Sequence, residues 1–316
     1  MSKTLMSMDF TGKDIISIKD FSKSEINHIM KYAEKMVPYA KGEKQTTLLQ
    51  GKILSSLFFE PSTRTRLSFE SAMNRLNGRV IGFADPTATS QKKGETLADT
   101  IRMADSYSDI IVIRHPSEGA ARLAAEFAEA PILNAGDGAG HHPTQCLLDL
   151  FTIFQEKKEI GKQNVVLLGD LKYGRTVHSL AYALALYGAN LTFVSPKSLQ
   201  MPREVVNECK QLGGNPTSTT KLEKALLDAD VLYVTRIQKE RFPDLEEYNR
   251  VVGTYQITNL LLDHAKKDLR IMHPLPRVTE ISSEVDSTTH AVYFKQAFNG
   301  VPIRMALLSL ISGVKL

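Results

Sequence analysis

Hydrophobic and polar positions along this chain follow two patterns, one typical of buried strands and one typical of helices. Residues 109–115 contain four consecutive aliphatic side chains, a pattern that suits a parallel strand covered on both faces. Residues 63–77 instead carry apolar side chains mainly three and four positions apart, at Leu67, Phe69, Ala72, Met73 and Leu76. Gly78 then provides a natural helix stop. The repeated alternation of the two patterns predicts an α/β fold.

The predicted elements form two successive β/α series, preceded by a helix to residue 39 that a capping box of Ser22 and Glu25 opens. The first series has strands at 52–60, 79–85, 109–115 and 131–135, with helices at 63–77, 95–107 and 117–127. The second has strands at 164–168, 190–194, around 217, 231–235 and 269–272, with helices at 175–187, 203–212, 222–228 and 258–266. We therefore expect two doubly wound parallel-sheet domains joined by interdomain helices.

A long predicted helix, from Pro143 to Lys157, marks the boundary between the two domains. We predict a first domain of residues 1–146 and a second of residues 147–292. A last helix, predicted from Tyr293 to Ile311, comes too late in the chain to extend the second sheet. We expect residues 293–316 to pack back onto the first domain.

Composition places the chain among soluble globular proteins of about two domains. It has 316 residues, of which 42% are hydrophobic and 23% charged. The net charge is +4 and basic runs do not exceed pairs such as Lys92-Lys93, so neither nucleic acid nor a membrane is indicated as a partner. No apolar run approaches the ~20 residues of a membrane span, and the first residues lack a signal-peptide core, so we predict a cytoplasmic protein.

Two cysteines, Cys146 and Cys209, lack a CxxC spacing, so neither a disulfide framework nor a zinc site is indicated. We interpret both as small buried hydrophobic residues, with Cys209 near the surface of a helix.

Residues 58–70 carry the clearest chemical signal. Pro61 and Ser62 lie at the predicted turn between a strand and a helix, where unpaired N–H groups and the helix dipole favour an anion. Three hydroxyls and two guanidiniums add to this terminus, from Ser62, Thr63, Arg64, Thr65 and Arg66. Since planar arginine donors match phosphate oxygens, phosphate binding is favoured over an ordinary helix cap with exposed arginines.

Other polar stretches also follow predicted strands, where ligands of such sheets bind. Arg114 ends an otherwise apolar strand, and residues 90–95 form a loop with two lysines. His142 lies near the N-cap of the helix that begins at Pro143. There the helix dipole disfavours the imidazolium, so a neutral His142 would polarise a carbonyl. A metal site is disfavoured, because adjacent histidines without a further ligand at i+4 make a poor metal pair.

Residues 169–176 offer an alternative function, because they nearly match the P-loop pattern GxxxxGK[ST] between a strand and a helix. Arg175 stands where that motif has lysine, and no apolar strand ends in a Walker-B aspartate. A nucleotide-binding protein therefore remains the minor interpretation. The pattern GxGxxG of dinucleotide sites is absent.

Taken together, these motifs closely resemble the catalytic chains of the aspartate carbamoyltransferase family over essentially the whole length. The matching segments are STRTR at 62–66, the loop lysine, HPTQ at 142–145, Arg175, the segment around Arg236 and HPLPR at 273–277. STRTR and HPTQ are common to carbamoyltransferases, whereas HPLPR is similar to the aspartate enzymes. Ornithine enzymes, which are the alternative within the family, have an HCLP-type segment there.

The resemblance implies transfer of the carbamoyl group of carbamoyl phosphate to the amine of L-aspartate, in pyrimidine synthesis and without a cofactor or metal. It assigns the phosphate and the carbamoyl group to Ser62, Thr63, Arg64, Thr65, Ser90, Lys93, Arg114, His142, Gln145 and the carbonyls of Leu275 and Pro276. Of these, the catalytic set would be Arg64, Thr65, Lys93, Arg114 and His142. Aspartate would be bound by Lys93, Arg175, Arg236 and Gln238.

The resemblance also implies a homotrimer with shared active sites, in which Ser90 and Lys93 enter the neighbouring subunit's site. Glu60, Arg175 and Arg241 would form ion pairs when the domains close around substrates. Any regulatory chain would be a separate polypeptide.

Overall fold

The computed structural model describes residues 8–85, 93–237, 242, 244–314 and 316. The chain divides into two compact units. Unit 1 comprises Met1–Leu147 and Phe298–Leu316, and unit 2 comprises Leu148–Ala297. Each unit contains a parallel β-sheet with helices, so the predicted α/β class with two doubly wound sheets is confirmed.

In its described part, unit 1 has a four-stranded sheet of order β2-β1-β3-β4. The strands, all parallel, are β1 (Ile53–Phe58), β2 (Arg79–Phe83), β3 (Ile110–His115) and β4 (Ile132–Asp137). The helices are α1 (Lys23–Lys41), α2 (Thr63–Arg75), α3 (Leu97–Asp105), α4 (Ala120–Phe127) and α5 (Pro143–Lys157), which continues into unit 2. One face of the sheet contributes Leu57, Ile111 and Ile113 to a buried apolar core.

The predicted capping box at the start of α1 is present. The Ser22 hydroxyl accepts a hydrogen bond from the Glu25 backbone N–H, and the Glu25 carboxylate accepts from Ser22 N. Gly42, with φ of +79°, ends the helix in the left-handed conformation that glycine adopts without steric cost.

Unit 2 has a five-stranded parallel sheet of order β7-β6-β5-β8-β9 within the described residues. The strands are β5 (Asn164–Leu168), β6 (Asn190–Val194), β7 (Thr217–Thr219), β8 (Val231–Val234) and β9 (Arg270–Met272). The helices are α6 (Arg175–Tyr187), α7 (Arg203–Gln211), α8 (Leu222–Leu226), α9 (Leu245–Val251), α10 (Asn259–Leu262) and α11 (Tyr293–Ile311), which ends in unit 1.

Several predicted element bounds match the structure residue for residue, namely those of α5, α6, α11, β5 and β6. Other elements are shorter than predicted, because residues at their predicted ends form caps and turns instead. The helix predicted at 95–107, for example, begins only after the Thr96 side chain caps it. Helix α9 was not predicted, since its seven residues are too few to show a period. Cys209 is fully buried rather than near the surface, as it lies on α7, which packs on α6.

None of the helices in the described ranges combines the length and the apolar character needed to span a bilayer.

Candidate active site

Each of the two sheets has its own topological switch point, and the predicted site residues lie on the loops beside these two points. In unit 1 the chain runs from β1 outward to β2 and from β3 outward to β4, so β1 and β3 flank the switch point. Ligands of doubly wound sheets bind at this position, outside the carboxyl ends of the strands. Helix α2 begins shortly after β1 ends, and Arg114 lies at the end of β3.

The first turn of α2 is arranged to receive an anion. Ser62 has a φ of −158° and a ψ of 88°, and its side chain makes no capping hydrogen bond to the helix. The first turn contains no acidic residue that would compete with a bound anion. Thr65 is buried, whereas Thr63 and Arg64 are exposed. The Arg66 guanidinium pairs with Glu70 one turn later, at 3.0 Å.

Arg114 lies directly beside the end of β1. It is the register partner of Phe58, and its side chain is only 11% exposed. Its guanidinium donates to the Ala135 carbonyl at 3.1 Å and pairs with the Glu60 carboxylate at 3.2 Å. Contacts from β4 and from the β1–α2 loop therefore fix this cation at the carboxyl edge of the sheet.

His115, the residue after Arg114, is held neutral. Burial lowers the pKa of His115, and its Nδ1 accepts a hydrogen bond from Ser117 N at 3.0 Å. Its ring also lies 5.1 Å from that of Phe59. We therefore assign His115 a structural role, in which it supports the end of β3.

The loop between β4 and α5 is folded around two buried polar side chains that the sequence did not identify. Asp137 Oδ1 accepts from His141 N at 2.8 Å and from Asn134 Nδ2 at 2.9 Å, and Oδ2 accepts from Gly119 N at 2.9 Å. The Asn134 amide also donates to the Ile16 carbonyl and accepts from Gly136 N. These bonds define the path of the chain into His142.

His142 is buried immediately before the first residue of α5. Its carbonyl accepts from the backbone N–H groups of Gln145 and Cys146, so it stands at the helix N-terminus as predicted. Gln145 is half-buried on the first turn of the same helix.

In unit 2, β5 and β8 flank the second switch point, and Arg175 and Arg236 follow them. The two loops approach closely. A Cβ at Gly169, where φ is +118°, would stand 2.2 Å from the Thr235 carbonyl oxygen, so only glycine fits.

The segment that resembles a P-loop does not form a phosphate cradle. Its buried Asp170 carboxylate accepts hydrogen bonds from the backbone N–H groups of Lys172 and Tyr173, at 3.2 and 3.0 Å. A P-loop needs such N–H groups for phosphate oxygens. The nucleotide-binding alternative is therefore disfavoured.

A cavity of about 120 Å³ opens beside the same loops of unit 2. Its lining includes Gly169, Arg236, Tyr248, Tyr255 and Glu280. It combines one guanidinium and one carboxylate with aromatic walls, a combination that suits a small polar molecule.

The HPLPR segment, residues 273–277, forms a tight turn after β9. The bond between Leu275 and Pro276 is cis, and Leu275 has a φ of +57°. Arg277 forms a bidentate ion pair with Asp286 and lies over the ring of Tyr293. Its charge is therefore used within the unit.

The predicted residues divide between the two carboxyl edges. The carboxyl edge of the first sheet carries Ser62, Thr63, Arg64, Thr65, Arg114, His142 and Gln145. The carboxyl edge of the second sheet carries Arg175, Arg236, Leu275 and Pro276. Lys93 is exposed. Ser90, Gln238 and Arg241 lie outside the described residues.

Comparison with known proteins agrees with this geometry. Residues 13–156 match the family described as aspartate/ornithine carbamoyltransferase, carbamoyl-P binding domain, and residues 161–311 match its Asp/Orn binding domain. This chain belongs to the aspartate/ornithine carbamoyltransferase family. It is 59% identical to the aspartate carbamoyltransferase catalytic subunit of Thermococcus gammatolerans, over 97% of this chain and 100% of that one.

Solved structures of the family show the same fold. The catalytic subunit of M. jannaschii aspartate transcarbamoylase has a TM-score of 0.88 and 52% identity, covering 95% of this chain and 97% of that one. The enzyme of Trypanosoma cruzi in complex with carbamoyl phosphate and aspartate has a TM-score of 0.91 and 42% identity, covering 96% and 97%.

Proposed function

We propose that this chain is an aspartate carbamoyltransferase. It transfers the carbamoyl group of carbamoyl phosphate to the amine of L-aspartate and yields N-carbamoyl-L-aspartate and phosphate, a step of pyrimidine synthesis. The observation that carries the proposal is the uncapped first turn of α2 with Arg114 at the switch point of unit 1, within the match to the carbamoyl-P binding domain. The relatives named as aspartate enzymes support the choice of acceptor.

Unit 1 would bind carbamoyl phosphate. The hydroxyls and N–H groups of Ser62, Thr63 and Thr65, with the Arg64 guanidinium, would hold the phosphate. Arg114 would bind both the phosphate and the carbamoyl oxygen. Its contacts with Glu60 and Ala135 keep the guanidinium in a defined position before substrate arrives.

The chemistry requires stabilisation of a tetrahedral intermediate. The aspartate amine attacks the carbamoyl carbon, negative charge develops on the carbamoyl oxygen, and the bond to the phosphate oxygen then breaks. Thr65, Arg114 and neutral His142 would stabilise that oxygen. Gln145 and the carbonyls of Leu275 and Pro276 would bind the carbamoyl amino group. The amine proton is lost in the same sequence, and the departing phosphate is a base of suitable charge.

Unit 2 would bind L-aspartate through its two carboxylates. Arg175 begins α6, and Arg236 lines the cavity beside β8, so both cations stand at the second switch point. Gln238 and Lys93 complete the proposed set. Glu60, Arg175 and Arg241 would form the ion pairs of the substrate-bound state.

A homotrimer with shared sites is the proposed assembly. Unit 1 leaves several large apolar side chains exposed, among them Leu67 at 53%, Ile81 at 42% and Met103 at 47%. Where such side chains form a contiguous patch, they favour association. Ser90 and Lys93 would reach the neighbouring subunit's site, and sedimentation should show about three times the chain mass of 35.1 kDa.

An assay that offers carbamoyl phosphate with either L-aspartate or L-ornithine tests the function. We expect carbamoyl aspartate to be the product and no reaction with ornithine. Preference for ornithine would overturn the acceptor assignment. ATP hydrolysis without carbamoyl transfer would instead support the nucleotide-binding alternative.

A further inference from the structure

The HPLPR turn contains a buried histidine that the proposed mechanism does not use. His273 is 2% exposed, and its ring nitrogens have one partner in the turn and one just after it. Nδ1 lies 2.8 Å from the backbone nitrogen of Leu275, and Nε2 lies 2.7 Å from Glu280 Oε1. A side chain held by these two partners fixes the shape of the turn.

These partners define the protonation of the ring. The Leu275 nitrogen is an N–H donor, so Nδ1 must offer a lone pair and carries no proton. Neutral imidazole then carries its proton on Nε2, where it donates to the carboxylate of Glu280. A second proton on Nδ1 would oppose the Leu275 N–H.

Glu280 is tied by its other oxygen to the two residues that follow the turn, Val278 and Thr279. Oε2 accepts from Val278 N at 3.1 Å and from Thr279 N at 3.0 Å. Burial acts to raise the pKa of Glu280, but the hydrogen bonds from His273 and the backbone outweigh it, so the pKa lies below its usual value. The carboxylate is therefore ionised. It holds the His273 ring with one oxygen and the backbone N–H groups of Val278 and Thr279 with the other.

A buried chain of hydrogen bonds anchors the histidine from the opposite side. His273 N donates to Gln296 Oε1 at 2.8 Å, and Gln296 Nε2 donates to Asp149 Oδ1 at 2.7 Å. Asp149 Oδ2 accepts from the Tyr233 hydroxyl at 2.9 Å. Helices α5 and α11 and strand β8 thus fix the backbone at the start of the turn.

Leu275 has the least favourable backbone of the turn. Its φ of +57° is in the left-handed region, which a branched side chain rarely adopts. The hydrogen bond from its own N–H to His273 Nδ1 holds it there. The direction of the Leu275 carbonyl, and of the Pro276 carbonyl after it, follows from this conformation.

We propose that His273, fixed as the Nε2–H tautomer by Glu280, is a positioning residue that aims the Leu275 and Pro276 carbonyls at the carbamoyl amino group. The inference rests on the proposed function, which assigns those carbonyls to the carbamoyl group. His273 itself would not touch the substrate. It acts through the backbone of Leu275.

Two substitutions of His273 each remove one of its two ring hydrogen bonds and keep the other. The short amide of His273→Asn reaches the position of Nδ1, so it keeps an acceptor for Leu275 N–H and loses Glu280. The longer amide of His273→Gln reaches the position of Nε2, so it keeps the donor to Glu280 and leaves Leu275 N–H without an acceptor. His264→Asn, at an exposed histidine of the same unit, is the control.

Steady-state kinetics with carbamoyl phosphate and L-aspartate give the first readout. We expect His273→Gln to raise the KM for carbamoyl phosphate about tenfold or more, since a buried N–H loses its acceptor. His273→Asn should raise it clearly less, and the control should match the wild type. Equal KM values in the two His273 variants would overturn the proposal, even if both melt at lower temperature.

Ring-nitrogen NMR of the labelled wild-type protein at neutral pH gives a second readout that needs no activity. We expect the shifts of a neutral ring protonated at Nε2. A proton on Nδ1 would refute the assignment. If the wild type carried out no carbamoyl transfer, the proposed function would fail, and the spectrum would still decide the tautomer.

Discussion

Asp137→Asn tests whether the β4–α5 loop must be held in place for catalysis. The carboxylate is 3% exposed and accepts three hydrogen bonds, two on Oδ1 and one on Oδ2. All three partners are N–H donors. The asparagine amide has only one acceptor oxygen. Its NH₂ group must therefore face at least one of the three N–H donors.

The cost of this change follows from the geometry. In its better orientation the substituted amide side chain would keep the donors His141 N and Asn134 Nδ2 and lose Gly119 N. A lost hydrogen bond to a charged group costs about 1.5–3 kcal/mol, and the two remaining bonds become neutral and weaker. We expect the free energy of unfolding to fall by about 2–3 kcal/mol.

The effect on catalysis should be larger than that of general destabilisation. The loop leads directly into His142, and a misplacement of about 1 Å costs up to about 100-fold in rate. We expect kcat/KM for carbamoyl phosphate to fall about 10- to 100-fold at a temperature where the variant remains folded. Urea unfolding and steady-state kinetics on the same preparation measure both quantities.

Asp109→Asn is the matched control. Its two carboxylate oxygens are also both used, by Lys52 Nζ at 2.7 Å and Ile53 N at 2.9 Å, but at the amino edge of the same sheet. We expect it to lose about 1 kcal/mol of stability with unchanged kcat/KM. Full activity in Asp137→Asn, or an equal loss of activity in Asp109→Asn, would refute the reasoning.

Three further outcomes are expected. Arg64→Ala should lower kcat by orders of magnitude with an unchanged circular dichroism spectrum, because its charge is needed most as phosphate leaves; turnover near that of the wild type would remove the central claim. Arg175→Ala should mainly raise the KM for aspartate, and an unaltered aspartate dependence would contradict its assignment. The Glu280 carboxylate should contribute its full stability at pH values above the ordinary glutamate pKa of about 4.3. This stability should be lost as the pH falls through the pKa of Glu280 in the folded protein, which is lower. Glu280→Gln should therefore have a flatter acid limb in unfolding measurements, and an unchanged limb would argue against the His273–Glu280 pair.

The sequence predicted those features that depend on local pattern. The period of apolar residues located α5 and α6, and the cluster of hydroxyls and arginines identified the start of α2. Short elements such as α9 were missed, because seven residues rich in charge show no period.

Partners that are distant in sequence could not be predicted. Arg114 on β3 meets Glu60 of the β1–α2 loop, and Asp137 meets the N–H of Gly119. Neither pair leaves a local signature, since each depends on how parallel strands align. A weak local signal did exist for Asn134 and Asp137, because such residues beside glycines favour side-chain-to-backbone turns.

The missing cap at Ser62 has a consequence for the chain before it meets a substrate. Helices α1, α3 and α10 each close their first turn with a hydroxyl, whereas α2 forgoes a contribution typically worth about 1 kcal/mol. The first turn of α2 should therefore fray readily, and its amide protons should exchange quickly with solvent. Saturating carbamoyl phosphate would slow that exchange and raise the melting temperature, since a ligand that binds only the ordered turn stabilises it. In a cell, the supply of this one metabolite would then add to the protection of the protein against unfolding and proteolysis.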